Sequence, residues 1–340
     1  MVAPQAGVPS YRTGLPDYAL RFVAEVAGRS PSVHNTQPWL IRGGPDGCVE
    51  LLADRSRQLQ HADPHGRELH VSCGGALFGA RLGIGLLGYQ PEVDLLPDGE
   101  DSDLLAALRR GRSTDVTSGD RAQLSALTRR HTHRGPFTHE PVTHELLSRL
   151  QRVVAQEGAE LVVVTGEQRV ELARLVQDAE HRQQLDQAYR EELRAWTPGR
   201  EGRQDGVPST AYAGATVRRT AEELPQRDFG MGRPGHGRPA GPHVLGATTA
   251  VALTTPADDK ASWLAAGAAL HHGLLVAADA WVFASIHTQP LQLADVRDEV
   301  TSLVGRGPVQ MLLTLGHAHV APTAPRRPTH DVLVSEPVVD

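Results

Sequence analysis

The sequence predicts an α+β fold in which one unit is repeated within a single chain. Its length of 340 residues exceeds the usual single-domain size. Apolar positions alternate between helical spacing and short strand-like runs, and the order helix, strand, long helix, strand recurs at a period of roughly 130 to 150 residues. With 40% hydrophobic and 22% charged residues, the chain has material for a sizeable core, which excludes a wholly disordered protein. A net charge of -6 leaves no basic footprint for nucleic acid, so an anionic partner is expected to be small.

The elements follow in order. Tyr18 to Ala27 carries apolar residues at helical spacing and stops at Gly28, a helix ended by a glycine. Trp39 to Arg42 and Val49 to Ala53 read as a hairpin across a turn-rich Gly43 to Gly47. The small-residue and Leu face of Gly66 to Gly88 suits a buried helix, with a strand over Gln90 to Leu96 leaving it. The second block repeats the theme: a helix over Thr143 to Glu157, a strand over Glu160 to Thr165, and one long polar helix from Glu167 to about Trp196. A helix over Trp263 to Trp281 and a last strand over Val309 to Leu315 complete it. Between them, Thr197 to His243 is rich in Gly, Pro and Arg with little apolar periodicity, as in a lid or a disordered insertion.

Two cysteines, Cys48 and Cys73, lack the spacing of a metal or redox motif and read as reduced thiols. The N-terminus has neither a basic nor an apolar leader region, and no segment reaches the roughly 18 apolar residues of a bilayer span. A soluble cytoplasmic protein with no membrane and no nucleic-acid partner is the expectation. The seventeen histidines include H-x-H pairs at His131/His133 and His317/His319, but neither pair has a third ligand at a recognisable spacing, so no metal site is expected.

Two strings carry chemistry. In SPSVHNTQPW, residues 30 to 39, Pro31 and Pro38 stiffen the backbone around Ser32, Asn35 and Gln37, whose side chains offer donors and acceptors to a planar ligand. Residue types alone leave this open, since the same string is also a capped loop with Ser32 as N-cap and Trp39 opening a strand. In RRHTHRGPF, residues 129 to 137, the guanidinium forks of Arg130 and Arg134 and the hydroxyl of Thr132 suit a phosphate. A solvated basic loop has the same composition. Arg326 and Arg327, flanked by prolines, form a further basic patch that taken alone reads as a solvated tail.

SVHNTQPW resembles the flavin-binding loop of the nitroreductase family, and RHTHR resembles that family's phosphate-binding pattern. Together with DPHGRELHVSCGGAL (63–77), ASIHTQPL (284–291) and PRRPTHDVL (325–333), they resemble the Acg-like subfamily of actinobacterial FMN-binding proteins, over nearly the whole chain and in the expected order. The resemblance implies a nitroreductase-like fold duplicated as an internal pseudo-dimer: a first unit over 1–125 and a second over 126–340, with the lid at about 197–243. The first unit holds the Pro31 to Trp39 loop and the second holds Arg130 to Arg134, so a monomeric chain with one composite FMN site is expected.

By the same resemblance, Ser32, Asn35 and Gln37 lie near the isoalloxazine ring or ribityl chain, and Arg130, Thr132, Arg134, Arg326 and Arg327 near the phosphate. Pro31 and His131 belong to the same two strings, and Ile286, His287 and Thr288 to a segment whose backbone approaches flavin N5. His287 stands where an acidic residue is common. The implied activity is an FMN-dependent oxidoreductase passing a hydride from NADH or NADPH to a small nitroaromatic, quinone or similar acceptor, with the ring rather than a side chain carrying the chemistry. A flavin-storing protein with a covered site, or a dehydrogenase tailoring one metabolite, are the alternatives.

Overall fold

The computed structural model describes residues 15–44, 47–197, 202–209, 220–231, 247–319 and 323–334. The first part of the chain runs through α1 (Asp17–Gly28), β1 (Trp39–Gly43), β2 (Val49–Ala53), α2 (Arg67–Leu86), β3 (Tyr89–Leu95), β4 (Leu104–Ser113) and α3 (Ser118–Arg129). The second runs through α4 (His144–Gln156), β5 (Glu160–Val164), α5 (Gly166–Leu185), α6 (Gln187–Ala195), β6 (Thr249–Thr254), α7 (Lys260–Asp279), β7 (Val282–Ile286), α8 (Ala294–Val304), β8 (Val309–His317) and α9 (Thr329–Val332). Each part forms a four-stranded sheet, in the orders β1-β2-β4-β3 and β5-β6-β8-β7. All of the strand pairings within both sheets are antiparallel.

The two sheets differ in how they are covered. Along β6, Val251 and Leu253 face a core shared with α4 and α7, whereas Ala250 and Ala252 face α5 and α8, so alternate residues feed two cores. That sandwiching explains why eight consecutive residues of β8 are buried. The first sheet packs Val49, Leu51, Ala106 and Leu108 against α1 and α2, while β3 is largely exposed.

At the centre, α2 and α7 pack directly on each other. Their contact depends on glycine: a Cβ on Gly74 would stand 2.1 Å from the Leu264 carbonyl oxygen, and one on Gly267 would stand 1.9 Å from that of Val71. By length and composition both helices meet the requirement of a bilayer span, a property the sequence reading did not assign to them. Most of each is buried inside the fold, where core helices share that composition.

The expected helix over Glu167 to Trp196 is two helices. Asp186 leaves the helical region (φ -79, ψ 115), and its carboxylate accepts from the amides of Ala188 and Tyr189, starting α6 afresh. The strands β4, β6 and β7 and the helices α3 and α8 were not anticipated. Two crossings tie the parts together. Thr132 bridges Ala284 in parallel, and Leu333 bridges Ile41 in the same way, bringing the C-terminal segment back to the first sheet.

Candidate functional site

The loop between α1 and β1 has an unusual backbone. His34, Asn35 and Gln37 all have positive φ (45, 56 and 52), a conformation that costs non-glycine residues energy and persists only where side chains hold it. Ser32 Oγ accepts from the Gln37 amide at 3.0 Å, and Ser72 Oγ on α2 accepts from the Val33 amide at 3.2 Å. Asn35 Nδ2 donates to the carbonyls of Gly206 and Pro325, and its Oδ1 accepts from Arg326 Nη1 at 3.1 Å. Gln37 Nε2 donates to the Gln204 carbonyl, and its Oε1 accepts from the Arg327 amide at 2.8 Å. The two amides thus clamp segments 202–209 and 323–334 onto the loop, and neither lines the cleft beside it.

That cleft spans about 700 Å³ of space that is in part open to solvent. Pro31, Ser32, His34 and the α2 residues Glu68, Val71 and Ser72 line it from the first part of the chain. Thr132, Arg134, Leu270, Ile286, Thr288 and Met311 line it from the second. Gln226, Arg227 and Phe229, from the Gly/Pro-rich stretch, complete the wall. Phe229 meets His34 edge-on at 5.8 Å, and the Arg134 guanidinium lies over its ring at 5.1 Å. Met231, from the same stretch, does not line the cleft and packs against the cluster of Tyr189, Leu193, Val207 and Phe229. Of 197–243, residues 198–201, 210–219 and 232–243 lie outside the described residues.

Beside the cleft, arginines gather. Arg130 is 3% exposed; its Nη2 donates to the Arg29 carbonyl and its Nε has no partner among the described residues. Burial first, then Arg326, pushes its ionisation well below the arginine range. Arg326 is pushed down to about 10 by burial, then by Arg29 and Arg134, and its buried Nε also has no partner among the described residues. Guanidinium groups hold their protons nonetheless, so this cluster is a concentration of positive charge that an anion would relieve. Arg327 stands apart: it bonds the carbonyls of Gln37, Trp39 and Asp331 and pairs with Asp54 at 3.7 Å. His131 is held neutral, down to about 4, by burial and by Arg130 and Arg326.

At the end of β7, strand alternation separates three neighbours. Ile286 and Thr288 face the cleft, while the ring of His287 lies between the Pro225 carbonyl at 3.1 Å and Thr314 Oγ1 at 2.9 Å. Its burial lowers its ionisation to about 4, so it is a neutral bridging group. Among the described residues, no group of three or more His, Cys, Asp or Glu side chains is placed to hold a metal.

Two charged cleft residues were among those that escaped the sequence reading. Glu68 lies inside the string DPHGRELHVSCGGAL, where the one acid of the helix was an available signal. Its carboxyl is 2% exposed, accepts from Gln292 Nε2 at 2.8 Å and is raised to about 7, mainly by burial. Arg227 had no signal, being one arginine in an irregular stretch. It is buried among Gln183 Oε1, Thr288 Oγ1 and Gln292 Oε1, with Tyr189 stacked at 5.6 Å.

An α+β protein with a partly closed, electropositive cleft between two sheets is the class that fold and site define. No model of a described protein family matches the chain. Relatives from Mycobacterium tuberculosis match nearly all of it. The protein named "Putative NAD(P)H nitroreductase Rv3131" is 33% identical over 340 residues, covering 96% of this chain and 94% of that one. The one named "Putative NAD(P)H nitroreductase acg" is 29% identical over 318 residues, covering 92% and 94%. Among solved structures, a nitroreductase with bound FMN from Desulfitobacterium hafniense DCB-2 aligns at 16% identity and a TM-score of 0.36, over 63% of this chain and 97% of that one. The chain belongs to the nitroreductase family, in its Acg-like subfamily.

Proposed function

We propose that the chain is an FMN-dependent oxidoreductase that takes reducing equivalents from NADH or NADPH and passes them to a quinone, nitroaromatic or similar small acceptor. The observation that carries this is a cleft lined by both parts of the chain with Arg134 in its wall, whose charge acts on Arg326 and, through it, on Arg130; both of these are buried with no Nε partner among the described residues. A cluster of this kind suits one terminal phosphate, and the amide-poor apolar surface of Val71, Leu270, Ile286 and Met311 suits a flat ring. Flavin, when bound, supplies the hydride chemistry. The residues orient it: Arg130, Arg134 and Arg326 hold the anionic end, and the Pro31 to Gln37 loop fixes the wall.

A duplicated unit is part of the same proposal. The two sheets share their strand order, each has a 20-residue helix between its second and third strands, and those helices meet through reciprocal glycines. The halves 1–125 and 126–340 then form an internal pseudo-dimer with a single composite site, and the chain needs no second copy to complete it. The arrangement of Gln226, Arg227 and Phe229 over the cleft supports calling 197–243 a lid. It also favours the alternative of a flavin-storing protein with little turnover.

The test is the absorbance of purified protein, before and after anaerobic addition of NADH or NADPH. Bound FMN that bleaches rapidly and reoxidises with benzoquinone is the expected result. Bound flavin inert to both donors favours storage, and no flavin after reconstitution rejects both.

A further inference from the structure

Reducing a quinone by two electrons requires two protons, of which the nicotinamide hydride carries one. If the flavin-dependent reduction proposed above takes place in this cleft, a second proton must reach the acceptor oxygen from the protein or from solvent, and the cleft is walled from solvent on several sides. We propose that Glu68 stores that proton and delivers it from its carboxyl to the acceptor. The Glu68 O–H bond breaks, an acceptor O–H bond forms, the electron pair stays on the carboxylate, and solvent later restores the proton.

The geometry favours Glu68 over its neighbours. Asp63 and Glu68 share one guanidinium, Arg67, so both ionised would leave a buried excess of negative charge. Asp63 accepts from the amides of Glu68 at 3.0 Å and Leu69 at 2.8 Å in the first turn of α2, where the helix dipole also favours an anion. Negative charge therefore settles on Asp63 and the proton on Glu68. Arg67 Nη1 is committed to the carbonyl and amide oxygens of Gln310, and its Nη2 reaches Glu68 Oε1 only at 3.5 Å.

On the other side, Gln292 Oε1 accepts from Gln183, Tyr189 and Arg227, which obliges its Nε2 to face Glu68 Oε2. One carboxyl oxygen is thereby fixed as acceptor and the other is left to carry the proton. The charged groups facing Glu68 are Arg67, Asp63 and Arg227. Of these only Asp63 raises its ionisation, and burial, the largest influence, raises it further, to about 7.

Two measurements test this. In the apoprotein, infrared difference spectra across pH should contain a protonated carboxyl that titrates near 7, is absent in Glu68→Gln and moves to lower pH in Asp63→Asn. A Glu68 carboxyl titrating in the ordinary range near ~4.3 overturns the proposal. In the flavin-loaded protein, benzoquinone, which needs protons, is compared with ferricyanide, which takes single electrons without them. General acids contribute about 10²- to 10⁴-fold, so the benzoquinone-to-ferricyanide rate ratio should fall at least about tenfold in Glu68→Gln and recover partly in Glu68→Asp. Parallel loss of both rates, or an unchanged ratio, overturns the delivery step. Should no flavin bind, the delivery step falls with the proposed function while the carboxyl titration still stands, so the two failures are told apart.

Discussion

Gly267 of α7 sits against the backbone carbonyl of Val71 on α2 so closely that no side chain fits between them: an added Cβ would lie 1.9 Å from the oxygen. Neither helix can yield without moving Glu68, Val71 and Ser72 on one side of the cleft and Leu270 on the other. Overpacking of a core usually costs about 1–3 kcal/mol and more where backbone must shift, so Gly267→Ala should lower stability by about 3 kcal/mol or more in denaturant titration. Gly273, also on α7, meets only Val154 Cγ2 at an ordinary 3.5 Å. Gly273→Ala should be neutral or stabilising, by up to ~1 kcal/mol from helix propensity. Equal effects at the two positions would refute the close-contact account.

Arg130 and Arg326 should show opposite effects on stability and binding. The charges that act on them are those of other arginines, Arg29 and Arg134 on Arg326 and Arg326 on Arg130, so each burdens the ligand-free fold. Replacing both by Met should therefore raise the thermal midpoint of the apoprotein. Charge-assisted hydrogen bonds are worth about 1.5–3 kcal/mol each, so the same double variant should bind FMN well over tenfold more weakly. A thermal-shift series with and without FMN reads both effects, and a loss of apoprotein stability would contradict the first.

Much of this arrangement was legible from residue patterns. Helices and strands with strong periodicity, such as α1, α2, α4 and β8, were readable because one apolar face repeats at a fixed period. The break at Asp186 was not, because its carboxylate caps a new helix while the flanking composition stays helical. The strings around Pro31 and Arg130 stood out in the sequence and both supply residues of the cleft wall, yet the work of Asn35 and Gln37 was not readable: their partners include backbone carbonyls and amides of segments more than 160 positions away in sequence. Glu68 was hidden for a related reason. Its character comes from burial and from Asp63, Arg67 and Gln292, which only the fold assembles.

Arg227 fastens the segment over the cleft. Its guanidinium bonds to Gln183, Thr288 and Gln292, the last of which also holds Glu68. Arg227→Leu should loosen 220–231 and raise the rate at which NADH or NADPH reaches the flavin, with increased proteolysis in that stretch. Unchanged reduction kinetics in a folded variant would remove the case for a lid hinged on this residue.

Stability should peak near neutral pH. His70, His131 and His287 are lowered to about 4 and His271 to about 3, chiefly by burial, and His34 is lowered as well. The unfolded chain binds these protons near pH ~6.5 while the folded one does not, so stability is lost as pH falls from there toward 4. Glu68 and Asp63 have the opposite sign. Raised to about 7 and about 6, they are protonated in the fold where the unfolded chain has released them, so their contribution is lost as pH rises through that window. Thermal midpoints should fall steeply below pH ~6, and Glu68→Gln, by removing an opposing slope between ~4.3 and about 7, should make that fall steeper while leaving the alkaline side unchanged.

The sharpest test of the loop concerns Asn35, whose Oδ1 accepts from Arg326 Nη1 at 3.1 Å while its Nδ2 donates to Gly206 and Pro325. Asn35→Ala and Asn35→Asp both remove the two donated bonds and both force a residue other than asparagine into φ 56. Asn35→Ala should lose about 2–4 kcal/mol from the unpaired carbonyls and the left-handed backbone, and Asn35→Asp less, because aspartate tolerates that backbone and keeps an acceptor for Arg326. They differ in charge. Aspartate would set a carboxylate against Arg326, an internal competitor for the anion the arginines otherwise attract. FMN affinity should consequently be lower in Asn35→Asp than in Asn35→Ala, by about tenfold or more, since one ion pair in a poorly solvated site is worth more than ~1.4 kcal/mol. Titration by flavin fluorescence gives both constants. Equal affinities would mean that Arg326 does not face the phosphate, whatever Arg130 and Arg134 do.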